Sequence, residues 1–274
     1  MVLDFAKQAI ENTSSHSINF DELRAGKANI KVIGVGGCGG NGVTWLFNKG
    51  INGATIYGMN TDALHLSVTK ADEKLLIGKE LTRGLGAGGK PKVGREAARE
   101  ALADIKKAVG NADMVFVLAG MGGGTGTGAA PVIAQMAKET GAVVIGVVTM
   151  PFESEKARID KAEFGLQELR EVTDTTIVLD NNRLVDIAGQ LPLEQAFAVA
   201  NELVSTMVKG IVETITLPSL INLDYADVST IMKNGGVAVI GIGESDTQER
   251  VSEAVKQALT HPLLDVDYKG ASGA

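Results

Sequence analysis

The sequence is poor in cysteine, histidine and long apolar runs, and each shortage excludes a class of protein. Its single cysteine, Cys38, cannot form an intramolecular disulfide, and no signal segment opens the chain, so we predict a reducing, cytoplasmic location. Three scattered histidines indicate neither a metal cluster nor a catalytic dyad. No apolar run reaches the roughly 20 residues that a membrane-spanning helix needs, so direct membrane insertion is not expected.

Basic residues are also in the minority, because 26 Lys and Arg face 33 Asp and Glu, for a formal net charge of −7. This balance argues against nucleic acid or an anionic membrane as the main partner, since both attract basic surfaces. With 274 residues, of which 45% are hydrophobic, the chain can bury one large core or two modest ones. Proteins and small ligands are therefore the expected partners.

From residue 30 onward, apolar segments of strand length alternate with helical patterns. The predicted strands include Ile30–Val35, Ala54–Met59 and Met114–Leu118, and the helices predicted after the two glycine clusters are Val43–Lys49 and Ala129–Thr140. Such alternation predicts an α/β fold, a Rossmann-like parallel sheet with helices on both faces. An apolar stripe beginning at Leu193 predicts one long central helix. The expected divisions are an N-terminal extension at 1–28, a nucleotide-binding domain at 29–192, the connecting helix at 193–217, and an acidic loop with a truncated C-terminal domain at 218–274.

The last of these divisions contains too few elements for a core of its own. We predict there a helix near Val228–Lys233, a strand Gly236–Ile242 and a helix Thr247–Leu259, which together form an incomplete second α+β domain or an appendage of the first. A lone strand would expose unpaired backbone groups on both edges. Residues 229–274 are therefore expected to be poorly stable or to need a partner.

Two glycine clusters follow predicted strands and indicate phosphate binding. The first, G-V-G-G-C-G-G at 34–40, also fits G-x-G-x-x-G, so an NAD-dependent oxidoreductase is an alternative interpretation. The second, G-G-G-T-G-T-G at 122–128, lies between a buried strand and a helix, where free N–H groups and the helix dipole attract anions. The hydroxyls of Thr125 and Thr127 can donate further hydrogen bonds.

No G-x-x-x-x-G-K-[ST] motif occurs, because each Gly-Lys pair is followed by Ala, Glu or Pro. An ordinary P-loop is therefore absent, and phosphate charge must be met by backbone dipoles and a bound cation, for which Mg²⁺ is the expected choice. Within the first cluster, we interpret Cys38 as a small packing residue rather than a nucleophile. Trp45, shortly after it, is predicted to lie in the core.

The second glycine cluster and five further motifs resemble those of the tubulin superfamily, especially FtsZ. The five are L-A-G-M before the second cluster, N-T-D-A at 60–63, G-A-G-G-K-P at 86–91, P-F-E-S-E-K-A-R at 151–158 and N-L-D-Y-A-D at 222–227. The resemblance implies a cytoplasmic GTPase that polymerises head to tail and hydrolyses GTP at the junction between subunits. It also implies a place in the cell division ring at the division site, with cell-division adaptor proteins as partners.

The resemblance also implies which residues bind GTP or GDP. Gly36, Gly37, Asn41, Ala87, Gly88, Gly124, Thr125 and Gly126 would surround the phosphates, Glu155 and Arg158 the ribose, and Asn181 and Asn201 the guanine. Cys38, Asn60, Gly89, Gly122, Gly123, Thr127 and Pro151 complete the expected site. On a helical wheel Asn201 falls about 40° from Phe197, at the shoulder of the apolar stripe, so it can face inward.

Asn222, Asp224 and Asp227 are the candidate catalytic residues, because two carboxylates and an amide could orient a water or hold a cation opposite a γ-phosphate. A solvated acidic loop with a helix cap at Asp227 is the alternative interpretation. The 21 residues from Asn201 to Asn222 are mostly helical and span roughly 30 Å, so one nucleotide cannot touch both ends. A catalytic acidic loop must then act on a neighbouring subunit, which predicts a filament. A relative that controls cell shape, or a GTP-binding subunit that never polymerises, is the remaining alternative.

Overall fold

The computed structural model describes residues 28–183, 192–217, 223–233, 235–238, 241 and 243–259. Within them the strands are β1 Ile30–Val35, β2 Ala54–Asn60, β3 Glu73–Leu76, β4 Met114–Gly120, β5 Val143–Met150, β6 Thr175–Asp180 and β7 Gly236–Ala238. They form one seven-stranded sheet in the order β3-β2-β1-β4-β5-β6-β7. All neighbouring pairs are parallel, as the alternating sequence pattern predicts.

Helices cover both faces of this sheet. They are α1 Gly36–Lys49, α2 Ala63–Val68, α3 Lys79–Thr82, α4 Pro91–Glu100, α5 Leu102–Val109, α6 Thr125–Glu139, α7 Ile159–Val172, α8 Leu193–Thr216, α9 Tyr225–Met232 and α10 Arg250–Leu259, with a 3₁₀ helix at Glu153–Arg158. One core packs α4 to α7 against the sheet, and the other packs α1, α8 and α9 against the opposite face. The prediction of an α/β fold with a long helix is therefore confirmed.

The central strands are buried on both faces because each face has its own helical layer. All six residues of β1 are buried, with Ile33 and Val35 in one core and Ile30 and Val32 in the other. The same alternation distributes the apolar side chains of β4 between the two cores. Nearly continuous apolar strands are typical of parallel sheets that are covered on both sides.

Two helices begin earlier than their glycine content suggests, since α1 starts at Gly36 rather than Val43 and α6 at Thr125 rather than Ala129. The reason is close packing, which overrides the low helix propensity of glycine. A Cβ added to Gly39 would lie 2.2 Å from the carbonyl oxygen of Leu118 in β4. Only a residue without a side chain therefore lets α1 approach the sheet this closely.

The prediction that Trp45 lies in the core is wrong, because 38% of this residue is exposed. Helix α1 presents Val43 and Leu46 to the sheet, and both are fully buried. Successive residues of a helix point about 100° apart, so a residue next to Leu46 turns away from the face that packs.

The strand predicted at Gly236–Ile242 is not a lone strand in the part that the structure describes. Gly236–Ala238 pairs in parallel with β6, with Gly236 opposite Thr175. The hydroxyl of Thr175 also donates to the carbonyl oxygen of Met232 at 2.6 Å, which ties α9 to the same strand. The expectation of two unpaired edges is therefore wrong for these residues, which extend the main sheet.

Lys31 of β1 provides a test of how buried polar groups hold this fold together. Lys31 is 8% exposed. Its Nζ atom donates to the carbonyl oxygens of Ala108 and Gly110, both at 2.7 Å, at the end of α5. Burial lowers the pKa of this amine. We expect Lys31→Met to reduce the free energy of unfolding by about 1–3 kcal/mol, because the carbonyls lose their donor.

Urea denaturation measures this change, and Lys74→Met is the matched control. The amine of Lys74 also donates to a carbonyl oxygen, that of Ser67 at 2.9 Å, but at an exposed position where water can replace it. Its loss should change the free energy of unfolding by about 0.5 kcal/mol or less. Equal losses in the two variants would contradict a role for burial.

Candidate nucleotide-binding site

The two glycine clusters lie side by side at the carboxyl edge of the sheet. Strands β1 and β4 are parallel neighbours, and each leads directly into its cluster. A Cβ added to Gly36 would lie 2.9 Å from the backbone nitrogen of Gly126, so the first turns of α1 and α6 are in contact. Two helix N-termini with free N–H groups therefore converge on one place, which is a favourable environment for phosphate.

Hydrogen bonds between hydroxyls and backbone hold the second cluster in shape. Thr127 is buried, and its hydroxyl oxygen accepts a hydrogen bond from the N–H of Gly122 at 2.9 Å. This side chain therefore stabilises the turn of the second cluster. The hydroxyls of Thr125 and Thr61 are hydrogen-bonded at 2.7 Å, which joins α6 to the segment after β2. Thr61 was not among the predicted site residues, although it belongs to the N-T-D-A motif.

The segment 86–90 forms the third wall of the site. A Cβ added to Gly124 would lie 2.8 Å from the Cβ of Ala87 and 2.9 Å from the backbone nitrogen of Lys90. The amine of Lys161, in α7, donates to the carbonyl oxygen of Gly89 at 3.0 Å. The structure thus brings 86–90 against the second cluster. The spacing of the motifs does not predict the contact of Lys161 with this segment.

Residues predicted to contact the ribose lie after β5 and beside the second cluster. Glu155 and Arg158 form an ion pair at 2.6 Å, and the Glu155 carboxylate also accepts from the backbone N–H of Phe152 at 3.3 Å. The carbonyl oxygen of Arg158 lies 3.0 Å from the point that a Cβ on Gly122 would occupy. Pro151, at the carboxyl end of β5, is buried.

The predicted guanine contacts come from two elements that the chain brings to the same edge. Asn181 follows β6 directly and is 9% exposed. Phe152 and Phe197 are in ring contact, with centroids 5.7 Å apart, which fixes the start of α8 against the segment after β5. Asn201 lies one turn beyond Phe197 and is partly buried, in agreement with its predicted position on the helical wheel.

Three other predicted residues come from α1 and from the end of β2. Asn41 is exposed on the helix, and Asn60 is buried at the end of β2, where its side chain accepts from the N–H of Asp62 at 3.3 Å. Cys38 as a whole residue is exposed to solvent. Its Sγ atom nevertheless lies within the protein, 3.3 Å from the hydroxyl oxygen of Thr149. Burial of the thiol raises its pKa, and the bond to Thr149 partly offsets this. A neutral thiol favours the packing interpretation over a nucleophile.

The acidic residues lie elsewhere, at the amino edge of the sheet. Asp224 is the N-cap residue of α9, Asp227 lies in its first turn, and both are exposed. The Tyr225 hydroxyl between them donates to the carbonyl oxygen of Asp113 at 2.7 Å, and Asp113 immediately precedes β4. The seven residues of β4 span about 20 Å and separate this contact from the second glycine cluster. Asn222 lies outside the described residues.

The described residues offer magnesium no cage of side chains, so an ion bound here would be held largely by the nucleotide. In the parts of the chain that the structure describes, no group of three or more His, Cys, Asp or Glu could hold a metal ion. Mg²⁺ usually keeps several waters and binds through substrate phosphates with one or two protein ligands, so the absence of a carboxylate cage is compatible with it. Among the helices of the described residues, none is long and apolar enough to cross a membrane.

Comparison with known proteins decides the family. Residues 29–189, more than half of the chain, match the family model described as the Tubulin/FtsZ family, GTPase domain. The chain belongs to the tubulin/FtsZ family. Residues 236–274 also match the C-terminal domain of the FtsZ family, and the chain is thus a GTPase of the FtsZ type. Because the GTPase match spans both glycine clusters, the NAD-dependent alternative is wrong.

Curated relatives and solved structures agree with this assignment. The chain is 52% identical over 276 residues to cell division protein FtsZ 2 of Halobacterium salinarum, covering 98% of this chain and 70% of the relative. It is 56% identical over 249 residues to cell division protein FtsZ 1 of Pyrococcus abyssi, covering 90% of this chain and 67% of the relative.

The structure of an empty FtsZ dimer from M. jannaschii matches with a TM-score of 0.88 and 53% identity, over 92% of this chain and 74% of that one. CetZ1 from Haloferax volcanii, in a GDP-bound monomer, matches with a TM-score of 0.74 over 85% of this chain and 73% of its own. At 23% identity the second likeness shows a shared fold alone.

Proposed function

We propose that this FtsZ-type GTPase polymerises head to tail and completes each hydrolytic site with the acidic residues of the next subunit. The observation that carries the proposal is the Tyr225 to Asp113 hydrogen bond, which holds the start of α9 at the amino edge of the sheet. The glycine clusters stand at the carboxyl edge of the same strands. One nucleotide cannot reach both edges.

The type of contact follows from this arrangement. Two different surfaces must meet when the carboxyl edge of one subunit receives the amino edge of the next, so the contact is heterologous. A two-fold symmetric dimer would pair like surfaces and leave the two halves of the site apart. A heterologous contact that does not close into a ring repeats indefinitely, and a filament is the result.

The chemistry of the proposed site divides between the two subunits. The backbone N–H groups at the starts of α1 and α6 would hold the phosphate oxygens, and Mg²⁺ would supply further neutralisation of charge when bound with GTP. In the part of the chain that the structure describes, no hydrogen bond or ion pair engages the exposed carboxylates of Asp224 and Asp227. They are thus available to orient the attacking water on the neighbouring subunit's γ-phosphate.

The nucleoside would lie between the segment after β5 and helix α8. Glu155 and Arg158 would contact the ribose, and Asn181 and Asn201 the guanine edge, where amide groups can both donate and accept. The ring contact of Phe152 with Phe197 supports this placement because it joins the two walls.

The cellular role follows from the relatives, which are named cell division proteins. We propose the division ring as the place of assembly and cell-division adaptor proteins as further partners. Imaging the fluorescently tagged chain in its native host distinguishes this role from control of cell shape, because a division protein forms a band at the constriction site. A distribution along the whole cell surface would favour the second role.

Turnover per molecule is expected to rise with protein concentration, from near zero in dilute solution to a plateau once filaments form. Phosphate release with GTP and Mg²⁺ measures this, while pelleting at the same concentrations reports assembly. GTP binding measured across the same dilutions is the control and should stay constant, because the binding half of the site belongs to one subunit. Turnover per molecule that is independent of dilution would contradict a shared site.

A further inference from the structure

His65 of α2 lies against the first turn of α1, where the phosphates are proposed to bind. Its Cε1 atom is 3.2 Å from the point that a Cβ on Gly40 would occupy, so the ring packs directly on the helix backbone. Its Nε2 atom is 3.9 Å from the corresponding point on Gly37, which is exposed. Apart from the chain neighbours of Gly37 and the backbone of its own helix, no other atom of the described residues comes within 4 Å of that point. The imidazole therefore borders an otherwise open space above Gly37.

The neighbouring hydrogen bonds assign which ring nitrogen carries the hydrogen. The side-chain oxygen of Asn60 accepts from the N–H of Asp62 at 3.3 Å, which directs the amide nitrogen of Asn60 towards the ring. That nitrogen lies 3.4 Å from Nδ1 of His65. Because the amide can only donate there, Nδ1 accepts and the neutral ring carries its hydrogen on Nε2. The Nε2–H group of His65 thus borders the space above Gly37.

We propose that His65 is a further nucleotide-binding residue, whose Nε2–H donates to a phosphate oxygen of the bound guanine nucleotide above Gly37. The proposal rests on the proposed placement of the phosphates at the start of α1. It adds a side-chain donor to a site that otherwise relies on backbone N–H groups and hydroxyls.

The proposal predicts a loss of nucleotide affinity when this donor is removed. Titration calorimetry with GDP and with GTP measures the affinity of the parent chain and of each variant at one pH. Thermal unfolding without nucleotide measures whether a substitution disturbs the fold.

Two substitutions separate the hydrogen bond from the rest of the imidazole. His65→Gln retains a side-chain N–H donor, so its affinity should stay within about threefold of the parent. His65→Ala removes the donor and should bind about tenfold more weakly. Leu64→Gln, at a neighbouring position that is 79% exposed, is the matched control and should behave as the parent.

Two results would overturn the assignment. The first is an affinity of His65→Ala equal to that of the parent. The second is an equal loss of affinity in His65→Gln and His65→Ala, which, with a lower unfolding temperature without nucleotide, would show a purely structural role. A parent chain that binds no guanine nucleotide at any pH would instead refute the proposed function, so the two failures are distinguishable.

Discussion

Asp227→Ala is expected to bind GTP within about twofold of the parent and to lose at least about 100-fold in turnover. The binding half of the site is at the opposite edge of the sheet and is unchanged, whereas the water loses a group that orients it. Asp227 is exposed in the first turn of α9, so the free energy of unfolding should fall by only about 0.3–1 kcal/mol. Phosphate release and equilibrium nucleotide binding, measured on the same preparation, check the two halves of the prediction.

Mixing two impaired variants tests whether the acidic residues act on a neighbouring subunit. Asp227→Ala keeps an intact nucleotide site, and Asn201→Ala keeps intact acidic residues while weakening its own guanine contact. At a junction between the two, the first variant holds the GTP and the second provides Asp227. We expect the mixture to release phosphate faster than the sum of the separate variants. No gain in the mixture, or near-normal turnover by Asp227→Ala alone, would refute catalysis in trans.

The strands of the sheet could be predicted from the sequence because both faces are covered and the apolar runs are nearly continuous. The apolar run Met114–Leu118 predicts a strand, and β4 spans Met114–Gly120. Strand β3, Glu73–Leu76, was missed because it is the outermost strand of the described sheet and its first two residues are exposed and charged. An edge strand with a polar face carries no such apolar signal.

The starts of the helices could not be predicted, because glycine is a poor helix former and packing decides its conformation. In α6, a Cβ added to Gly128 would lie 1.9 Å from the carbonyl oxygen of Pro91, so the absence of a side chain lets α4 and α6 touch. Local propensity favours a loop at such a sequence. The contact that overrides it lies 37 residues away along the chain, where periodicity carries no information.

The candidate site shows the same division between local motif and distant contact. The motifs at 86–91 and 122–128 can each be recognised in the sequence, and the structure brings them together. The supporting side chains of Thr61, His65 and Lys161 were not predicted, because each acts through a contact with a separate segment. The separation of the acidic residues, by contrast, followed from helix length alone, and the Tyr225 contact supports it independently.

Gly39→Ala is expected to lower the free energy of unfolding by about 3 kcal/mol and to reduce nucleotide affinity strongly. The added methyl carbon would lie 2.2 Å from the carbonyl oxygen of Leu118, so α1 must move away from β4. Because the starts of α1 and α6 touch, this movement would separate the N–H groups that converge on the phosphates. Urea denaturation and titration calorimetry with GDP measure the two effects.

Gly210→Ala is the matched control, since the same substitution is made within a helix where a Cβ would meet no atom within 4 Å. Alanine is the better helix former, so this variant should gain about 0.5–1 kcal/mol and bind nucleotide as the parent does. Opposite signs for one chemical change separate close approach from intrinsic propensity. If Gly39→Ala were as stable as the parent, contact between α1 and β4 would not require glycine, and the packing explanation for the first cluster would fail.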